Sequence, residues 1–228
     1  MNDDQSVRLN KFLALQLGFS RRQADELIAK GKVIVNGTPA IIGSRVMPKD
    51  SVTIDGALIT HDTPFVYLAF HKPVNYVCSR KQQGDSPTIY ELIPKQYHPL
   101  KPVGRLDRDS SGLILLTNDG DFAQQMTHPK YYKNKRYEVS LNTPLAPLHQ
   151  QMISDFGVDL EDGKSQLTLE RIDDERKQWI VVMSEGRNRQ IRRTFASLGY
   201  DVTRLHRTDF GKYSLLDLPQ GHCRVEES

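Results

Sequence analysis

The stretch Gly104-Arg105-Leu106-Asp107-Arg108-Asp109-Ser110-Ser111-Gly112-Leu113-Ile114-Leu115-Leu116 sets a charged loop directly ahead of an apolar run, and Asn118-Asp119-Gly120 closes that run with a turn signal. A short apolar run between such signals predicts a buried strand over 113–117. A carboxylate just ahead of it, hemmed in by arginines, stays ionised at neutral pH. That suits a nucleophile or an electrostatic stabiliser better than a general acid. A structural salt-bridge loop accounts for the same residues, and on chemistry alone that reading stands first. Asp107 and Asp109 lack the nearby His or third acid that a metal site needs, so no metal is expected.

Working outward, further strands are expected at 65–70, 137–141, 167–171 and 179–183, with helices at 121–126, 145–156 and 189–198. Strands interspersed with helices, many joined by tight turns, predict an α+β domain on a mixed, mainly antiparallel sheet. On the 189–198 helix, Ile191, Phe195 and Leu198 share the face that packs on the sheet. Arg189 and Arg193 then point nearly opposite, towards solvent or phosphate. Arg192 lies about a quarter turn from the apolar face, where it can reach sideways into a partly buried site.

Residues 7–56 read as a separate small unit. Leu9, Phe12, Leu13 and Leu17 recur at helical spacing. Ser20 opens a second helix with Gln23 as its capping-box partner, and Gly31 suits the helix end. Val33-Ile34-Val35 is a strand, Asn36-Gly37 a tight-turn signal, and further strands are expected at 40–42 and 51–54. Arg21 and Arg22 fall in the first turn of the second helix, where cations oppose the helix dipole at a cost of roughly 0.3–1 kcal/mol each. An external phosphate would explain that placement, because it also accepts from the free backbone N–H groups of the turn. Lys32 lies just beyond the same helix. Thr60-His61-Asp62-Thr63-Pro64 reads as a linker, dividing the chain into 1–60 and 61–228.

The chain has 228 residues, 38% hydrophobic and 26% charged, a balance that predicts a folded rather than a disordered protein. A formal charge of +3 barely favours an anionic partner by itself. The clustering of the charges says more. Arg187, Arg189, Arg192, Arg193, Arg204 and Arg207 crowd one segment, with the N-terminal basic group in another, so two contact surfaces for a polyanion are expected. Solvated helix faces are the plain alternative for either cluster. Cys78 and Cys223 stand without metal-ligand spacing or a disulfide framework, which fits a reducing cytoplasm. No apolar leader and no run of membrane-spanning length is seen.

Several of these segments together resemble one family. Gly104-Arg105-Leu106-Asp107, then Ser110-Ser111-Gly112-Leu113, an apolar run and Thr117-Asn118-Asp119-Gly120 resemble the signature of the RsuA/RluB branch of pseudouridine synthases. Lys72-Pro73 ahead of Tyr76-Val77-Cys78-Ser79, Lys135-Arg136-Tyr137, and Ser184-Glu185-Gly186-Arg187-Asn188-Arg189-Gln190-Ile191-Arg192-Arg193 agree in order. The N-terminal unit resembles the small RNA-binding domain named after ribosomal protein S4, from Arg8-Leu9-Asn10-Lys11-Phe12-Leu13 through Ser20-Arg21-Arg22-Gln23-Ala24 to Asn36-Gly37. Two residues depart from the family pattern: His71 stands where Asn commonly precedes Lys-Pro, and Asn75 where Gly is usual. Asn tolerates a left-handed backbone better than most residues.

The resemblance implies a ribosomal-RNA pseudouridine synthase in which Asp107 acts covalently, Tyr137 stacks on the target base and Arg192 pairs with the aspartate. It implies that Arg105 moves into the space left by a flipped nucleotide. Arg21, Arg22, Lys32, Arg187, Arg189 and Arg193 are the expected RNA contacts. Isomerisation cuts the N-glycosidic bond, turns the base and rejoins it through carbon, so the uridine must be flipped out or already unstacked. Nothing is oxidised and no group is donated, so no cofactor is expected. The compact chain, without a basic tail, favours small-subunit rRNA over large-subunit rRNA as substrate. A monomer is expected, acting on rRNA or on an assembling ribosomal particle. Two other classes compete. A non-catalytic RNA-binding protein would tolerate replacement of Asp107, and a hydrolase using Asp107 and Asp109 as an acid pair would leave the basic N-terminal unit without a use.

Overall fold

The computed structural model describes residues 6–60, 62–80 and 84–227; residues 1–5 and His61 of the expected linker lie outside them. The chain divides into Met1–Val66 and Tyr67–Ser228. The division falls after Val66 rather than after residue 60, because Thr63 still donates its N–H and its hydroxyl to Gln16 Oε1 at 3.3 and 2.6 Å.

In the first unit, helices Leu9–Leu17 and Arg21–Ala29 pack on a sheet that is four-stranded among the described residues. The capping box forms: Gln23 N–H donates to Ser20 Oγ at 3.2 Å, and Ser20 N–H to Gln23 Oε1 at 2.8 Å. Leu9, Phe12, Leu13, Ala24, Ile28, Val33, Val46 and Val52 make the core. Asn36 and Gly37 both take positive φ, as a two-residue hairpin turn demands. The strand expected at 40–42 is instead Thr38–Pro39, since the tight turn brings the chain back at once. Ala40 N–H closes onto Val33 O at 2.9 Å, and the chain then turns, leaving Ile41 and Ile42 exposed.

The second unit is built on a nine-stranded sheet among the described residues. Its main path runs Thr168–Arg171, Gln178–Met183, Lys135–Leu141, Val202–Phe210, Ser111–Thr117, Tyr67–Lys72, Cys223–Glu226. Every pairing is antiparallel except that of Val202–Phe210 with Ser111–Thr117, where His206 faces Ser111 and Arg207 faces Gly112. The fold is therefore α+β with a mixed, mainly antiparallel sheet. Ser111–Thr117 is buried throughout, as its apolar run requires. Among the described residues no helix is long and apolar enough to cross a membrane.

The parallel pairing also buries a histidine. His206 is 9% exposed, with Nδ1 2.8 Å from Ser111 Oγ. Burial, then the charges of Arg204 and His71, pull its pKa from 6.5 down to about 4. The unfolded chain takes up a proton near pH 6.5 and the folded one does not. Stability present above pH 6.5 is thus lost as pH falls through about 4, by ~3 kcal/mol. Urea unfolding at neutral and acidic pH should show this drop, and His206→Gln should lose most of it. An equal drop in both proteins would show that His206 is not its source.

Candidate active site

Asp107 sits in a loop that is fixed through its backbone. Lys72, fully buried on Tyr67–Lys72, donates from Nζ to Asp107 O at 3.0 Å, Ser110 O at 2.7 Å and Pro73 O at 3.0 Å. Burial lowers the Lys72 pKa to about 8. Ser110 N–H closes a turn onto Asp107 O at 3.1 Å, and Asn75 N–H donates to Arg108 O at 2.7 Å. Asn75 has φ 73°, so the residue standing in place of glycine does adopt the left-handed backbone. His71 turns away from the loop, with Nδ1 2.8 Å from Leu218 O. The Lys72 cradle therefore does not use it.

The arginines are arranged differently from the expected pairing. The helix runs Gln190–Ala196, shorter than 189–198, and Arg189 is its cap residue in a left-handed conformation. That backbone turn carries Arg189 back over the loop instead of outward. Its guanidinium grips Asp109 with two bonds of 3.0 Å and lies 3.5 Å from Asp107 Oδ2. Arg192, expected beside Asp107, instead has Nε 3.3 Å from Asp109 Oδ2 and donates to Asp109 O at 2.9 Å and Val202 O at 2.6 Å. Burial raises the Asp109 pKa, but the Arg189 hydrogen bond and the Arg192 charge outweigh it and hold the carboxyl below its usual range. Asp109 is the paired carboxylate, and Asp107 the looser one.

Arg193, expected to point to solvent or phosphate, and Arg187, expected to contact RNA, are both held by protein partners. Arg193 grips Asp162 with bonds of 3.0 and 2.7 Å. Arg187 reaches Asp162 Oδ1 at 2.9 Å and the carbonyls of Asp162, Gly163 and Lys164. Both bind the Val158–Leu160 and Gly163–Ser165 hairpin, whose acidic turn supplies a partner that helix geometry alone could not show. In the first unit, Arg21 and Arg22 are exposed at the helix start, while Lys32 pairs with Asp55 at 2.9 Å.

Asp107, Arg105, Tyr137 and Arg189 meet at a cavity of about 250 Å³, walled also by Val103, Leu106, Met183, Ile191 and Leu205. Tyr137 is buried on Lys135–Leu141 and stands opposite Arg207 of the neighbouring strand. Arg105 is exposed and also borders a second, smaller recess with Cys78, Arg108 and Asn188. An open carboxylate, a buried aromatic ring and a long-armed cation around a nucleoside-sized space can hold one extruded pyrimidine for attack.

Residues 66–197 match the family model for RNA pseudouridylate synthase. The chain belongs to that family. Residues 7–52 match the S4 domain. The synthase is 37% identical over 224 residues to a ribosomal small subunit pseudouridine synthase A of Pasteurella multocida, covering 96% of this chain and 95% of that one. It is 34% identical over 223 residues to a ribosomal large subunit pseudouridine synthase B of Bacillus subtilis, covering 95% and 91%. A crystal structure of a pseudouridylate synthase superposes with a TM-score of 0.69 at 33% identity, covering 97% and 96% of the two chains.

Sequence reasoning does not reach two cavity residues of the synthase, Lys135 and Arg207. Arg207 reads as one of the surface arginines, yet it is only 2% exposed because Val202–Phe210 is an interior strand. Lys135 carries a readable signal. Lys135, Tyr137, Val139 and Leu141 alternate with polar residues, and the alternation places all four on the inner face.

Proposed function

We propose that the protein isomerises one uridine of small-subunit ribosomal RNA to pseudouridine, with Asp107 as its nucleophile. The single observation that carries the reading is the Asp107 carboxylate at the cavity wall, anchored by backbone and left less paired than Asp109. Tyr137 supplies the stacking face. Arg189 steadies the Asp107 carboxylate, and Arg192 acts one step back, by holding Asp109. Arg105 fills the helical gap left by the extruded nucleotide, offsetting the few kcal/mol that extrusion costs. Arg21 and Arg22 meet backbone phosphate at the helix start. The chain is similar both to a small-subunit enzyme and to a large-subunit enzyme, so large-subunit rRNA is the second reading. The protein is read as a cytoplasmic monomer that binds rRNA or an assembling ribosomal particle.

Carbodiimide mapping of pseudouridine in both rRNAs, with and without the gene, tests this. One small-subunit site should vanish without the protein. A vanished large-subunit site would select the second reading, and no dependent site in either rRNA would overturn both.

Removing residues 1–66 should weaken rRNA binding by about tenfold or more at physiological salt. The remaining unit should stay folded, because its own core includes Ala69, Val103, Leu113, Leu115 and Phe210. Filter binding and circular dichroism check the two halves of this expectation. An unfolded truncation would contradict the division into separate cores.

A further inference from the structure

The inner wall of the cavity beside Asp107 carries two buried cations. Lys135 is 8% exposed and Arg207 2%, and both line the cavity. Among the described residues, no carboxylate makes an ion pair with either. The Lys135 ammonium donates to the carbonyls of Ser184 and Glu185, at 3.3 and 3.2 Å. Arg207 donates from Nε to Leu113 O at 2.7 Å, while its buried Nη2 has no partner. Both charges lie over the Phe210 ring, 5.2 and 4.9 Å from its centre. Glu185 draws on the Lys135 charge from a distance, but among the described residues neither cation has a carboxylate in ion-pair contact. Burying two like charges side by side in that way is costly.

Uridine itself is neutral, but its ring does not stay so during isomerisation. If the Asp107 carboxylate bonds to the ribose carbon, the carbon–nitrogen bond breaks and its electron pair stays on the ring. If the carboxylate adds to the ring instead, the displaced pair moves onto a ring oxygen. Either way the carbonyl oxygens acquire negative charge. When the ring rejoins through carbon, the bond to Asp107 is released, and the proton on that carbon is exchanged for one on nitrogen. No oxidant or further reactant enters.

We propose that Lys135 and Arg207 form an anion site for the carbonyl oxygens of the negatively charged uracil ring, holding it while it turns. The inference rests on the pseudouridine synthase reading of this cavity. The rings of Tyr137 and Phe210 and the apolar Leu205 fit a planar ring anion rather than a hydrated phosphate. Donors fixed in advance at the place where charge develops are the arrangement that lowers a barrier most.

The test uses the full chain and 5-nitrouracil, whose ring ionises in a range accessible to titration and whose absorption reports its charge. The anionic ring should bind the wild type about tenfold or more tightly than the neutral ring. Lys135→Met should lose that preference, and Lys135→Arg should restore it. Single turnover on rRNA should fall by about 10²-fold in Lys135→Met, with RNA affinity unchanged. Equal binding of the two ring forms by the wild type would overturn the proposal even if every variant failed to fold. So would a preference that survives in Lys135→Met, or displacement of the ring by inorganic phosphate at lower concentration. The rRNA mapping separates the two readings: a dependent uridine without anion preference removes this site alone, whereas no dependent uridine removes the assigned function.

Discussion

Asp107→Asn is expected to reduce pseudouridine formation on the order of 10⁴-fold or more, the scale seen when a nucleophile is removed from an otherwise intact site. The amide keeps the shape of the side chain but cannot supply the electron pair for covalent attack. Little else should change. The loop is held by Lys72 and Asn75 through main-chain oxygens and by the Ser110 turn, none of which involves the Asp107 carboxylate. That carboxylate is 3.5 Å from Arg189, whose stronger bonds go to Asp109. Thermal unfolding and rRNA affinity should therefore stay near wild type, and loss of one negative charge should if anything tighten RNA binding. Single-turnover assays beside a melting curve make the comparison. Turnover within about tenfold of wild type by a folded Asn variant would remove Asp107 from the nucleophile's role.

Local chemistry is readable in the sequence, and pairings between distant segments are not. The Ser20–Gln23 capping box and the Asn36-Gly37 turn depend on residues a few positions apart, and both form. The apolar run 113–117 and the alternation from Tyr137 likewise declare their strands. Val202–Phe210 does not, because Arg204, His206, Arg207 and Asp209 break its apolar pattern. It is interior only because Lys135–Leu141 and Ser111–Thr117 flank it on both sides.

The site shows the same division. Asp107, Tyr137 and Arg105 are cavity residues that the motifs carrying them reveal. The arginine partners follow from ideal helix angles in the sequence, and those angles cannot anticipate one left-handed residue at position 189. That residue brings Arg189 to 3.5 Å from Asp107 and leaves Arg192 on Asp109. Asp162 similarly captures Arg187 and Arg193 from a hairpin distant in sequence.

Gly112→Ala should cost about 4 kcal/mol or more, enough to remove most of the stability of a domain of ordinary marginal stability. Gly112 has φ +108°, where an L side chain is strained, but steric contact is the greater obstacle. A Cβ there would lie 2.2 Å from Arg207 O, 2.5 Å from Arg207 N and 2.8 Å from its carbonyl carbon. These are backbone atoms of a central strand, fixed on their far side by pairing with Tyr137. Arg207 cannot swing away as a flexible side chain would, so the parallel pair must separate. Separation would pull Arg207 from Leu113 O and disturb Ser110 O, one of the three carbonyls that hold Lys72. The damage should therefore reach Asp107 as well as the sheet. Gly199→Ala is the matched control: its φ is +85° with nothing near the added carbon, so only about 1–2 kcal/mol of backbone strain is expected. Urea unfolding of the two variants decides the point, and equal losses would mean that the close approach of the two strands is not what requires glycine at position 112.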